Sequence, residues 1–101
     1  MEIEIDLTQD VPPIALLQPN DFRSFKIVAT GDRERLATAI QSIGRAAGED
    51  AFVEPAALRR LAGDLGRDPG WSESLDRMVA YAAEHGWVSD DGAVRAHVEW
   101  R

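Results

Sequence analysis

A helix that runs directly into a hairpin is the feature that most constrains how this chain can fold. Residues 72–85 carry apolar side chains at helical spacing, with Ser72 as the predicted cap and Gly86 as the predicted stop. Residues 87–101 alternate apolar and polar side chains on either side of Asp90-Asp91-Gly92. This alternation around a turn sequence predicts a two-stranded hairpin.

The turn residues set the pairing within this hairpin. A three-residue loop with Gly92 at positive φ places Val88 opposite Val94, whereas a two-residue turn would pair Val88 with Arg95. The three-residue loop puts the apolar residues of both strands on one buried side: Val88, Val94, Ala96, Val98 and Trp100.

Two further helices are predicted upstream, with a short strand between them. Residues 32–47 repeat apolar side chains at helical spacing and end before Gly48. A second helix opens at Pro55, a favoured first position, and ends by Gly66. Residues 50–53 are long enough for one short strand.

The N-terminal part of the chain has strand patterns. Residues 1–7 alternate apolar and acidic side chains, which predicts a half-buried strand, and residues 22–30 are rich in β-branched and aromatic residues. Three prolines in residues 11–20 remove amide donors, so that segment is predicted to be an extended loop.

The order helix, short strand, helix, helix and hairpin over residues 32–101 resembles the winged helix-turn-helix superfamily. The resemblance implies an α+β fold with a winged-helix-like core of three helices and a C-terminal β-hairpin. Residues 1–31 would be an N-terminal β extension, stacked on the first helix through Leu36, Ile40 and Ile43. The link from Leu65 to Trp71 is longer than the turn of a strict helix-turn-helix.

Composition limits the class of protein. The chain has 101 residues, no cysteine and a net charge of −7. One domain is expected from the length, and disulfides and thiolate metal sites are excluded. The acidic start and the lack of a long apolar run predict no signal peptide and no membrane span. A cytoplasmic protein of bacterial type is expected.

The winged-helix resemblance also implies a DNA-binding transcriptional regulator as an alternative function. Its DNA contacts would be arginines on the helices and the hairpin: Arg59, Arg60, Arg67, Arg77 and Arg95. Three acids, Glu73, Asp76 and Glu84, share the third helix with Arg77 and would repel phosphates. Specific affinity for duplex DNA is therefore not expected.

No residue pattern in the chain matches a catalytic, cofactor or metal motif. His85 and His97 are the only histidines, and neither stands in metal-ligand spacing or beside a nucleophile motif. The glycine-rich segment 63–70 lacks the preceding strand and the Lys-Ser/Thr pair of a phosphate-binding loop. No catalytic, cofactor-binding or metal-binding residue is predicted.

The leading hypothesis is a small non-enzymatic protein-interaction or accessory module, bound to a protein partner or to a second copy of itself. The candidate interface residues are aromatic or apolar: Leu16, Leu17, Phe22, Trp71 and Trp100. Trp87 is expected in the core. The second alternative is a small auxiliary enzyme or ligand-binding protein, which a pocket lined by a histidine and an acid would favour.

Overall fold

Six strands form one mixed sheet. The computed structural model describes residues 1–101. The strands lie in the order β2-β1-β3-β6-β5-β4. β1, β3 and β6 are parallel, while β2, β5 and β4 are each antiparallel to their neighbours. Their bounds are β1 Glu2–Asp6, β2 Ile14–Leu17, β3 Lys26–Thr30, β4 Gly44–Ala47, β5 Asp50–Val53 and β6 Val94–Trp100.

Three helices pack on one face of this sheet. They are α1 (Leu36–Ala39), which lies between two 3₁₀ turns, α2 (Pro55–Leu61) and α3 (Pro69–Glu84). The core between helices and sheet is one cluster of apolar side chains, including Ile3, Ile5, Ile27, Ala29, Ala96 and Val98 from the strands and Ile40, Leu58, Trp71 and Leu75 from the helical layer. Strand residues that alternate with these, such as Glu4 and Arg95, are exposed or partly exposed, and we call this side the open sheet face. Val28, in the interior strand β3, is its buried exception.

The predicted turn register near the C-terminus is confirmed. Val88 bridges Val94, and Gly92 has a φ of 86°. Val94, Ala96 and Val98 are buried, and Val88 and Trp100 are partly buried. The first strand, the short strand before Pro55 and the start of α2 at Pro55 also agree with the pattern.

The winged-helix prediction is wrong, although the α+β class is correct. The last strand is not a separate wing, because β6 pairs with β5 on one side and with β3 on the other. Residues 1–31 are not an added extension either: β1 and β3 lie inside the sheet, and β3 is the direct neighbour of β6. Leu36, Ile40 and Ile43, through which the N-terminal strands were expected to stack on the first helix, belong to the same core cluster as Ile3 and Ile5.

The predicted first helix over residues 32–47 is also wrong in its second half. Helical structure ends with the 3₁₀ turn Ile40–Ser42, and residues 44–47 form the edge strand β4. β4 exists because it pairs with β5, from Gly44 opposite Val53 to Ala47 opposite Asp50. Pairing with a neighbouring strand therefore overrides the helical spacing of the apolar residues.

Two smaller boundaries differ from the pattern. Residues 14–17 form an edge strand rather than a loop, because the prolines flank the strand and only β1 pairs with it. α3 begins at Pro69 rather than at Ser72, and Asp68 caps it by accepting a hydrogen bond from the Trp71 amide at 2.9 Å. No helix in the protein has the length and apolar character needed to cross a bilayer.

Candidate functional site

A groove with aromatic walls lies between the C-terminal half of α3 and the segment that precedes β3. Its cavity volume is about 390 Å³. We call it the aromatic groove and define it by its lining residues: Phe22, Arg23, Ser24, Phe25, Met78, Tyr81, Ala82 and Trp87. It is the candidate functional site because large apolar side chains remain exposed there.

The segment that forms one wall is fixed by polar contacts. The amine of Met1 donates to the carbonyls of Asp21 and Ser24 at 2.8 and 3.0 Å, and burial lowers the pKa of that amine. Nearby, the Trp71 indole donates to the Pro19 carbonyl at 2.8 Å, and its ring centroid lies 5.8 Å from that of Phe22. The wall is therefore a preformed surface.

Three rings cluster where α3 ends. Tyr81 and His85 are one turn apart on the helix, with centroids separated by 4.3 Å. Gly86, at a φ of 75°, reverses the chain, and the Trp87 amide donates to the Ala82 carbonyl at 2.9 Å. Trp87 then lies 4.7 Å from His85 and 6.3 Å from Tyr81. Tyr81 is 57% exposed and Trp87 is 38% exposed.

The charges near the groove are unevenly paired. Arg23 pairs with Asp21 at 3.3 Å, and its backbone amide, as the largest cause, lowers the pKa of Asp21. Arg77, one turn before Tyr81, pairs with Glu73 at 2.5 Å. Glu84, three residues after Tyr81, is exposed and forms no ion pair. Arg23 and Arg77 are thus both paired with acids, whereas Glu84 is not paired with a cation.

A second cavity lies where α1 faces the C-terminal half of β6. Its volume is about 380 Å³. We call it the α1 cleft; it is lined by Arg33, Leu36, Ala37, Ala46, Gly48, Glu49, His97, Val98 and Trp100. It combines a histidine, His97, with an acid, Glu49, which is the combination that favours ligand binding. The described chain holds no group of three or more side chains suited to a metal ion.

The five predicted interface residues are not on one surface. Phe22 lines the aromatic groove, and Trp71 is buried behind it. Leu16 packs partly in the core, and Leu17, 39% exposed, lies on the edge strand β2. Trp100 lines the α1 cleft.

The arginines named as DNA contacts are mostly engaged within the protein. Arg95 lies on the open sheet face and forms no ion pair. The other four have protein partners: Arg59 pairs with Asp76 at 2.6 Å, Arg60 donates to the Ser42 carbonyl at 2.9 Å, Arg67 pairs with Asp64 at 3.6 Å, and Arg77 pairs with Glu73. Arg59, Arg60 and Arg67 line one cavity together with Asp64, whereas Arg77 and Arg95 do not line it.

Two central residues of the groove were missed from the sequence. Trp87 was expected in the core but is exposed, and Tyr81 was not singled out. A helical projection of α3 contains the signal, since Tyr81 and His85 lie beside the stripe that includes Trp71, Leu75 and Ala82. An aromatic residue at the border of a buried stripe is a candidate for contact with a partner.

Comparison of the chain with models of protein families, with curated proteins and with solved structures found no match.

Proposed function

We propose that this protein is a protein-interaction module whose aromatic groove binds a basic partner protein. The observation that carries the proposal is the pair Tyr81 and Trp87, which stand side by side and exposed above a groove floored by further apolar side chains. Tyr and Trp are the residue types that most often anchor protein interfaces.

The rigidity of the groove supports this function. Tyr81 projects from a helix of 16 residues, and Trp87 is held by a backbone hydrogen bond to that helix. The opposite wall is fixed by the Met1 amine. A preformed surface loses little conformational entropy on binding, which favours affinity.

The charge of the protein favours a basic partner over a second copy. Each chain carries a net charge of −7, so two copies repel each other, whereas a partner rich in Lys and Arg is attracted and oriented. Arg23, the one charged residue in the groove lining, is paired with Asp21, and Glu84, at the end of α3, has no cation partner. The partner is therefore a segment with an apolar or aromatic anchor flanked by basic residues.

Selection from a displayed random-peptide library tests the proposal. We expect the folded protein to enrich peptides with an aromatic or aliphatic residue next to Lys or Arg. Counter-selection uses a Tyr81→Ser, Trp87→Ser variant, which removes both anchors from exposed positions. A selected peptide, made synthetically, should bind this variant at least about tenfold more weakly than it binds the wild type, since interface anchors contribute about 2 kcal/mol or more.

A matched control variant is Val11→Ser, which changes an exposed apolar residue in the loop between β1 and β2, outside the groove lining. It should bind the selected peptide as the wild type does. Selected peptides that lack basic residues, or that bind the double variant as well as the wild type, would refute the proposal. Sedimentation equilibrium should show a monomer; a dimer that dissociates on Tyr81→Ser, Trp87→Ser would mean that a second copy covers the groove instead.

A further inference from the structure

The α1 cleft lies where β6 extends beyond the end of β5, one of its two neighbouring strands. β5 pairs with β6 only from Val94 to His97, while β3 pairs from His97 to Trp100. Beyond His97, the free side of β6 faces the turn between β4 and β5, where the Val98 amide donates to the Glu49 carbonyl at 3.3 Å. α1 covers this notch from the helical side, which leaves a partly enclosed cavity.

One arginine in this cleft is positioned without a protein acceptor. The guanidinium of Arg33 lies over the Trp100 ring, 5.0 Å from its centroid. Stacking on an aromatic ring orients the planar group and leaves its N–H donors at the edge. Arg33 forms no ion pair and donates no side-chain hydrogen bond in the protein, unlike Arg35, which donates to the carbonyls of Leu7 and Asp10.

The rest of the cleft lining is apolar on one side and acidic on the other. Leu36, Ala46 and Val98 supply apolar walls. Glu49 lines the same cavity, and Asp50 lies 3.3 Å from the imidazole of His97. These two acids disfavour a ligand with a double negative charge, because repulsion rises with each added charge.

We propose that the α1 cleft binds a small monocarboxylate with an apolar or aromatic body. The carboxylate pairs with the fork of donors on Arg33, a geometry that matches two carboxylate oxygens. The apolar body lies against Leu36, Ala46 and Val98. The cavity volume of about 380 Å³ is within the range of small-molecule sites. This site is separate from the aromatic groove and does not depend on it.

Two-dimensional amide NMR spectra of the intact protein test the site, with phenylacetate as the probe. We expect saturable shifts at residues of the cleft and none at the aromatic groove. Phenylacetamide, which has the same shape without the charge, should bind at least about tenfold more weakly, since it offers no negative charge to the Arg33 guanidinium. Inorganic phosphate should give no shifts in the cleft.

Two variants assign the effect to the proposed residues. Arg33→Gln should weaken phenylacetate binding at least tenfold, while Arg95→Gln, which removes an unpaired arginine on the open sheet face, should not change it. Ala37→Leu, an exposed position on α1, should also weaken binding by filling the cleft without removing a charge. Equal binding of phenylacetamide, cleft shifts with phosphate, or unchanged binding in Arg33→Gln would overturn the proposal.

Discussion

Two glycines occupy positions that disfavour a side chain, for different physical reasons. A Cβ on Gly44 would lie 1.8 Å from the Phe52 carbonyl oxygen, which is a direct overlap with backbone. Gly92 has open space around it, but its φ of 86° is a conformation that L-residues rarely adopt. One site is therefore limited by packing and the other by backbone conformation.

Gly44→Ala is expected to lower the free energy of unfolding by about 2–3 kcal/mol, because β4 must move away from β5 to relieve the overlap. Gly92→Ala should cost only about 1 kcal/mol, the usual strain of a left-handed alanine. Urea unfolding followed by circular dichroism measures both values. If Gly44→Ala is as stable as Gly92→Ala, then β4 and β5 do not approach each other this closely.

The carboxylate of Asp91 should make the stability of its turn depend on pH. Its pKa is lowered, chiefly by a hydrogen bond from the Ser89 hydroxyl and then by Arg45. A lowered pKa in the folded state means that the stabilisation is complete above the unfolded pKa of about 4 and disappears as the pH falls through the lower folded value.

Asp91→Asn should accordingly have a lower urea midpoint than the wild type near neutral pH. The difference between the two midpoints should shrink as the pH falls from about 6 to about 3. Asp90→Asn is the control, because it removes the same charge without removing a side-chain hydrogen bond. A difference between wild type and Asp91→Asn that stays constant over this pH range would show that the ionised carboxylate does not stabilise the turn.

At the scale of elements, two residues near the start of α3, Asp68 and Ser72, are candidates for its N-cap. Asp68 accepts from the Trp71 amide, whereas the hydroxyl of Ser72 accepts from Arg59 at 3.2 Å. Asp68→Ala should therefore cost about 1 kcal/mol of stability, the typical value of a helix N-cap. Ser72→Ala should cost less. Thermal unfolding of the two variants checks the order, and the reverse order would place the helix start at Ser72.

Local patterns predicted the elements whose burial alternates along the chain. β1 and β6 were recognised because every second residue of each faces the core. β4 was missed because Gly44, Arg45, Ala46 and Ala47 have little preference for strands, and only pairing with β5 makes them one. The pairing of β6 with β3 and β5 was missed for a related reason. A hairpin pattern predicts pairing across its own turn, but it does not predict pairing with strands far along the chain.

The same limit applies to the candidate sites. Phe22 was named from its residue type, but the groove joins it to Tyr81 and Trp87, about sixty residues further along the chain. The α1 cleft similarly joins Arg33 to Trp100. Such sites depend on which strands are neighbours, and sequence spacing within one chain does not contain that information.

For the whole molecule, the position of β1 and β3 inside the sheet predicts the effect of removing the N-terminal strands. Deletion of residues 1–30 takes away β1, β2 and β3 and leaves β6 without a partner beyond His97. It also uncovers the core side chains of α1. The truncated chain should show no cooperative thermal transition and should aggregate. A truncated chain that remains soluble, monomeric and equally heat-stable would contradict this arrangement of strands.

The pairing of β3 with β6 has a consequence for the chain while the ribosome is still synthesising it. Lys26 lies opposite His97, so about seventy residues separate strands that are neighbours in the sheet. At about 5–20 residues per second, a ribosome needs several seconds to deliver β6 after β3 has left it. During that interval the amides and carbonyls on the edge of β3 are unpaired, and a strand of another chain can form hydrogen bonds with them. Pairing of this edge with a strand of another chain is therefore a route to misassembly during synthesis.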